Sequence, residues 1–303
     1  MKPLIDPSCY QLKIYPPSPN LKEIIQRYEF HSISDEHPLE REFALLPNFD
    51  TGLIFAFFRY EPFLLKNEDF FGAKTPEVSI TPPHSKYGYN YGARGMEVIR
   101  VIFHPGVMAM LYNTPMDQYE NTYANAYDLI DKDLYIMYEH LAGLLTHISQ
   151  IRVIEQYLFD RVALLSNSKR ALSTGSRLFK PLCDLFDKRG YNNRASDIAG
   201  EFGWGARNFN RHLNGKIGFS FDTFRRIHRF SSITQYLKQN PSAKLVELAH
   251  RFDYADQSHF NKEFKQLSGM NPSQFIQGIK QQRIVNSQKE EDQQYVGILM
   301  SGS

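Results

Sequence analysis

The chain has 303 residues, enough for two domains of ordinary size, and its 35 Lys and Arg against 33 Asp and Glu leave a net charge of +2. Its two cysteines, Cys9 and Cys183, lie far apart, a spacing that excludes a disulfide framework or a zinc cluster of cysteines. No run approaches the roughly 18 apolar residues of a membrane span, and the first residues lack the apolar stretch of a signal peptide, so a soluble protein of the reducing cytoplasm is expected.

In chain order, β-branched and aromatic runs bounded by Pro, Gly and Asn-Asp predict strands at 41–49, 53–60, 77–81 and 97–104. Aromatics crowd this region: Phe55, Phe57, Phe58, Tyr60, Phe63, Phe70 and Phe71, then Tyr87, Tyr89 and Tyr91 at alternating positions that would face one way along a strand. Phe55, Phe57, Tyr87 and Tyr89 could line a pocket with Arg100 or His104 as its polar group, suited to a small planar or acidic effector. The simpler alternative places these rings in the core of a sheet. Two helices are predicted at 134–148 and 151–165. The second carries Ile151, Ile154, Leu158, Val162 and Leu165 at three- and four-residue spacing, a stripe for the domain core or for a second copy of the chain.

Residues 1–165 thus read as a mixed β/α domain, and the small, polar, basic stretch 166–176 as a linker. An all-α domain is expected over 177–283, and residues 284–303, nearly devoid of apolar side chains, as a tail. The fold class is α+β. Charge divides along the same lines. Residues 176–283 carry 18 Lys and Arg against 9 Asp and Glu, a net +9, whereas 1–175 carry a net −5. A basic module inside a near-neutral chain is the footprint of a surface that displaces counterions from phosphates.

The basic part repeats itself. Ile198-Ala199 with Phe202-Gly203-Trp204 recurs near an offset of 50 residues as Leu248-Ala249 with Phe252-Asp253-Tyr254; at an offset of 51, Phe209, Arg211, Leu213, Gly218 and Phe224 answer to Phe260, Lys262, Phe264, Gly269 and Phe275. Two copies suit a pair of small helical units, each presenting one helix. Residues 220–239 between them read as one helix with Phe224, Ile227, Phe230, Ile233 and Leu237 on one face. Its length of roughly 30 Å is close to the roughly 34 Å between successive major grooves on one side of a duplex.

In the first copy a recognition helix is expected from Ala206 to about Lys216. Phe209 and Leu213 would face the core, leaving Arg207, Asn208, Asn210 and Arg211 to reach bases, because Arg pairs bidentately with guanine and Asn with adenine. In the second copy Phe260 and Phe264 are the buried pair, and Gln257, Ser258, Asn261 and Lys262 face outward. Arg225, Arg226 and Lys265 are read as phosphate contacts that set register. Trp204 and Tyr254, at matching turn positions, are read as core plugs, and Gly218 and Gly269 as left-handed caps.

The run from Leu248 to Lys265, with Gly269 and Pro272-Ser273-Gln274-Phe275, resembles the signature of AraC/XylS-type transcription regulators over roughly residues 190–280. Asp253 stands where that pattern has Gly, Lys262 where it has Arg, and Phe221 where the first copy has Pro. Asp tolerates the left-handed turn. The resemblance implies a double helix-turn-helix, double-stranded DNA and RNA polymerase as partners, and a homodimer. Leu46-Pro47, Val101 to Gly106 and Asp128-Leu129 resemble, more weakly, a subgroup with an uncharacterised sensor domain. No metal or cofactor is expected. His31, His37, His84 and His104 are too scattered for a metal-binding cluster, and no Gly-rich phosphate loop or nucleophile elbow occurs, so no enzyme is indicated. The competing reading is an interaction-only protein whose helical module binds a partner such as RNA polymerase.

Overall fold

The protein, analysed as a computed structural model, is described at residues 10–35, 41–58, 64–66, 73–74, 76–92, 95–126, 130–165 and 169–287. Among the described residues, nine strands form two antiparallel sheets. In the first, β1 (Tyr10–Tyr15), β2 (Ile25–Ile33), β9 (Met96–Phe103), β4 (Thr51–Phe58) and β7 (Val78–Thr81) lie side by side in that order. The second has the order β3 (Arg41–Leu45), β8 (Gly88–Gly92), β5 (Leu64–Lys66) and β6 (Ala73–Lys74). The four predicted strands correspond to β3, β4, β7 and β9. The alternating Tyr89 and Tyr91 lie in β8, whereas β1 and β2 escape sequence reading because they carry polar residues between their apolar ones, and β5 and β6 because they span only a few residues.

Register decides what each face of the larger sheet does. Directly opposed residues of an antiparallel pair share a face. Phe30 lies opposite Ile99 and Phe55 opposite Ile99 from the other side, so these point one way together with Tyr28, Leu53 and Val101. That face packs against α1 (Val107–Leu111), α2 (Asp133–Ala142) and α3 (His147–Leu164) in one apolar core. The helices predicted at 134–148 and 151–165 break elsewhere: Gly143 ends α2, and Thr146 starts α3 by accepting the Ser149 N–H at its side chain. Ile151, Ile154 and Leu158 are buried inside the domain, with Val162 and Leu165 packed beside them, which assigns the predicted stripe to the intradomain core.

The stretch read as a linker is helical from Lys169 onward, the start of α4 (Lys169–Arg189). There follow α5 (Ala195–Glu201), α6 (Ala206–Ile217), α7 (Phe221–Gln239), α8 (Leu245–Arg251), α9 (Gln257–Ser268) and α10 (Pro272–Ser287). They share a second core, into which Leu46 and Phe49 reach from the sheet domain. The position of the proposed tail beyond Ser287 falls outside the described residues, as do Cys9, His37, Tyr60, Phe63, Phe70, Phe71, Asp128 and Leu129. Among the described residues, no helix is long and apolar enough to cross a membrane.

Because Leu158 is fully buried within its own domain, Leu158→Ala should cost about 2–5 kcal/mol. Calorimetric unfolding checks this; a neutral result at high dilution would place the stripe at an interface instead.

Candidate nucleic-acid interface

The two helix-turn-helix units are built alike around α7. In the first, α5 and α6 enclose a turn through Gly203; in the second, α8 and α9 enclose a turn through Asp253, whose φ of 57° confirms the left-handed conformation expected of the Asp. The aspartate also does what glycine could not: its Oδ2 accepts the Tyr191 N–H at 2.7 Å, tying the second turn to the end of α4. Both recognition helices end in left-handed glycines, Gly218 at φ 94° and Gly269 at φ 73°.

Phe209 and Leu213 of α6, and Phe260 and Phe264 of α9, are buried against α7 as the spacing predicts. Trp204 packs half-buried on the same core, 4.6 Å from His212 between ring centroids, while Tyr254 is buried. On the outer side Arg207, Arg211, Ser258, Lys262 and Lys265 are exposed and Gln257 is half-buried. Asn208 is half-buried and accepts a hydrogen bond from the Arg211 guanidinium at 2.7 Å, which braces that arginine from the preceding turn.

Asn210 and Asn261 do not face outward as expected. Asn210 accepts the Phe221 N–H through Oδ1 at 2.9 Å and donates to the Ala206 carbonyl at 3.3 Å, so it satisfies an otherwise orphaned N–H in the first turn of α7. Asn261 occupies the same place in the second unit, but there Pro272 stands where Phe221 does, and proline has no N–H. Its Oδ1 is buried without a hydrogen-bond partner. The departure of Phe221 from the proline of the family pattern thus has a consequence that only the structure reveals.

Arg225 and Arg226, expected at phosphates, already hold protein partners. Arg225 pairs with Asp222 at 3.0 Å and donates to the Tyr191 carbonyl at 3.3 Å. Arg226 reaches Glu263 Oε2 and Gln266, each at 3.3 Å. Glu263 is the hub. Arg229 donates to its Oε1 at 2.5 Å, Tyr254 donates to the same oxygen at 2.8 Å, and the Arg229 guanidinium lies 3.8 Å from the centroid of the Tyr254 ring. Burial alone would raise the Glu263 carboxyl; the Arg229 charge, aided by the hydrogen bond from Tyr254, outweighs it and holds the group below the usual glutamate range. The signal was present in the sequence, because Glu263 occupies the apolar face of α9 between Phe260, Phe264 and Leu267.

The predicted effector pocket is not assembled. Arg100 lies opposite Ile54 and Glu29, on the sheet face away from Phe55 and Phe57, and Phe57 stacks on Tyr138 at 4.9 Å. Tyr87 instead approaches Gly269 of the helical domain, and the Tyr89 side chain lies outside the described part of β8. His104 bonds the Lys22 carbonyl at 2.9 Å. Arg100 belongs to a buried ion network that sequence reading missed: Glu29 accepts from Arg100 and from Arg27, each at 2.6 Å, and Arg27 reaches Asp50 at 2.6 Å. Burial would raise Glu29, yet Arg100, His31 and Arg27 hold it far below the usual range; burial pushes neighbouring His84 down to about 3.

Two substitutions separate scaffolding from reading. Asn210→Ala should lower stability by about 1–2 kcal/mol while leaving base preference unchanged, as urea unfolding and site selection would show. Glu263→Gln should cost about 3 kcal/mol at neutral pH. Since the folded pKa of Glu263 lies below the unfolded one, its contribution is complete above the ordinary glutamate value near 4.3 and fades as pH falls through the folded value; the gap between variant and wild type should close in acid. A gap independent of pH would contradict the charged role.

Against known proteins, residues 198–278 match the family model described as a helix-turn-helix domain. A search of curated proteins matches nothing. Among solved structures, ToxT from Vibrio cholerae O395 aligns at 13% identity and a TM-score of 0.42 over 90% of this chain and 98% of its own. The C-terminal domain of AraT, a response regulator from Geobacillus stearothermophilus, aligns at 19% identity and a TM-score of 0.30 over 33% of this chain and 84% of its own. With the family match spanning both units and their shared helix, residues 198–278 are a helix-turn-helix domain.

Proposed function

We propose that the chain is a cytoplasmic, sequence-specific transcription regulator that reads two successive major grooves, with no catalytic step of its own. The observation that carries this reading is the packing of α6 and α9 against the same helix, α7, each capped alike and each exposing cations from a domain of net charge +9. The 19 residues of α7 span about 28 Å at 1.5 Å per residue, close to one turn of duplex. Arg207, Arg211, Gln257, Ser258 and Lys262 are the base-reading candidates. Lys265 is the clearest phosphate contact; Arg225 and Arg226 act first as internal braces.

The sheet domain then serves control and pairing. A homodimer is favoured by the outer face of α3, where Ile148, Phe159 and Leu164 are exposed on the side away from the core. Two copies of α3 laid antiparallel about Gln156 would set Arg152 opposite Asp160 and Ile148 opposite Leu164, matching charge with charge and apolar with apolar. A small-molecule effector and contact with RNA polymerase complete the regulator reading as proposals.

Binding should weaken steeply with salt. If about six phosphates are neutralised, log K against log salt should slope near −5. Site selection from a random library tests the readers: Arg211→Ala should cost roughly 1–3 kcal/mol on the preferred site and flatten one base pair, whereas Lys262→Ala should weaken all sequences alike and shallow the slope by about one. Loss of preference with the Lys262 variant and none with the Arg211 variant would reverse the roles. A flat salt response with no base discrimination would favour the interaction-only reading. For pairing, sedimentation at micromolar concentration should show a dimer that Phe159→Glu turns into a folded monomer; an unaltered dimer would exclude this face.

A further inference from the structure

Position 208 separates the two recognition helices. In the repeat it answers to His259, as Arg211 answers to Lys262. Asn208 stands in the first turn of α6, which begins after the Gly205 cap, and Arg211 follows three residues on, so the two share a face. The Asn208 Oδ1 accepts an Arg211 Nη2 hydrogen at 2.7 Å. In α9 the residue at the same place is engaged elsewhere: the His259 ring meets Tyr254 edge-on at 5.3 Å between centroids, and its backbone N–H donates to the Asp256 carboxylate at 2.8 Å.

Asn208 is itself held. Its backbone carbonyl accepts the His212 Nδ1–H at 3.0 Å, and the His212 ring lies 4.6 Å from that of Trp204 between centroids, so a connected group runs from the turn to the exposed arginine. Asn208 is half-buried, whereas Arg211 is exposed. Half-burial narrows the rotamers open to the amide, and the amide in turn narrows those of the guanidinium.

A guanidinium carries five N–H donors, and a fork on guanine O6 and N7 takes two of them. One Nη2 hydrogen goes to Asn208; the other Nη2 hydrogen and both on Nη1 remain, so an end-on fork is left whole. Adenine asks more of an asparagine, an acceptor for N6–H and a donor for N7 from one amide, and the acceptor here is engaged by Arg211. We propose that Asn208 is a positioning residue that presets the Arg211 fork for guanine and does not itself read adenine. This rests on the base-reading role proposed above for Arg211. An arginine restricted before contact loses less rotamer freedom in making it, an advantage of roughly threefold to tenfold in affinity for one such side chain.

The test uses the full chain and a duplex selected from a random library. The guanine in question is the one at which Arg211→Ala loses preference, and affinities for the selected duplex and for its guanine-to-adenine copy give a discrimination ratio. Because both affinities come from one preparation, the ratio does not depend on the folded fraction. Asn208→Ala should lower it roughly threefold to tenfold with the salt slope unchanged. In an Arg211→Lys background the same change should have no effect on the ratio. Asn208→Asp keeps an acceptor in place and should retain the ratio, while its added charge weakens binding to both duplexes alike. An unchanged ratio in Asn208→Ala, an equal loss in the Arg211→Lys background, or lost preference at a different base pair would overturn the positioning role while leaving Arg211 a reader. Full guanine discrimination by Arg211→Ala would overturn the reading by Arg211 and the role of Asn208 with it.

Discussion

Everything the helical domain can do on a duplex depends on the packing of both recognition helices against α7. Phe209 of α6 meets Phe221 at 6.0 Å near one end of that helix, and Phe264 of α9 meets Phe230 at 5.2 Å farther along. Aromatic pairs at such separations favour tilted or edge arrangements that resist sliding. The ion cluster around Glu263 adds a directional tie, since a carboxylate bonded by Arg229, Arg226 and Tyr254 cannot rotate about the α9 axis without leaving buried charges unpaired. Apolar packing sets the distance between the readers, and the buried charges set their rotation.

The helical half was legible because its elements obey local rules. Ser220 caps α7 where the apolar period begins, Gly218 and Gly269 end the recognition helices, and Phe209, Leu213, Phe260 and Phe264 mark the inner face. What could not be read is which polar residues near that face bond inward. Asn210 lies one position from Phe209, and spacing alone cannot show that its amide reaches an N–H eleven residues on. Repeat logic, which made Asn261 its equal, missed the difference between Phe221 and Pro272 for the same reason.

The sheet half was less legible because its decisive contacts are non-local. Strand periodicity found β4 and β9, yet the face of each side chain follows from ladder register, and a shift of one residue exchanges the faces. Sequence pattern alone joins Arg100 and Phe55, but ladder register puts them on opposite faces of the sheet. Glu29 pairs with Arg27 and Arg100, and Asp50 with Arg27, so the Arg100 charge that suggested a pocket for an acidic effector holds strands together instead. Phe49, Pro83, Tyr87 and Met116, which approach the helical domain, come from three stretches far apart in the chain, which no local pattern could have grouped.

In the proposed complex the two readers that one chain packs on α7 enter successive major grooves. Hydroxyl-radical footprinting of DNA on a selected site, with protein at a stoichiometry of one chain per site, tests it most directly. Two protected patches are expected for each bound chain, on the same face of the duplex and about 10 base pairs apart. A single patch confined to one groove would contradict it.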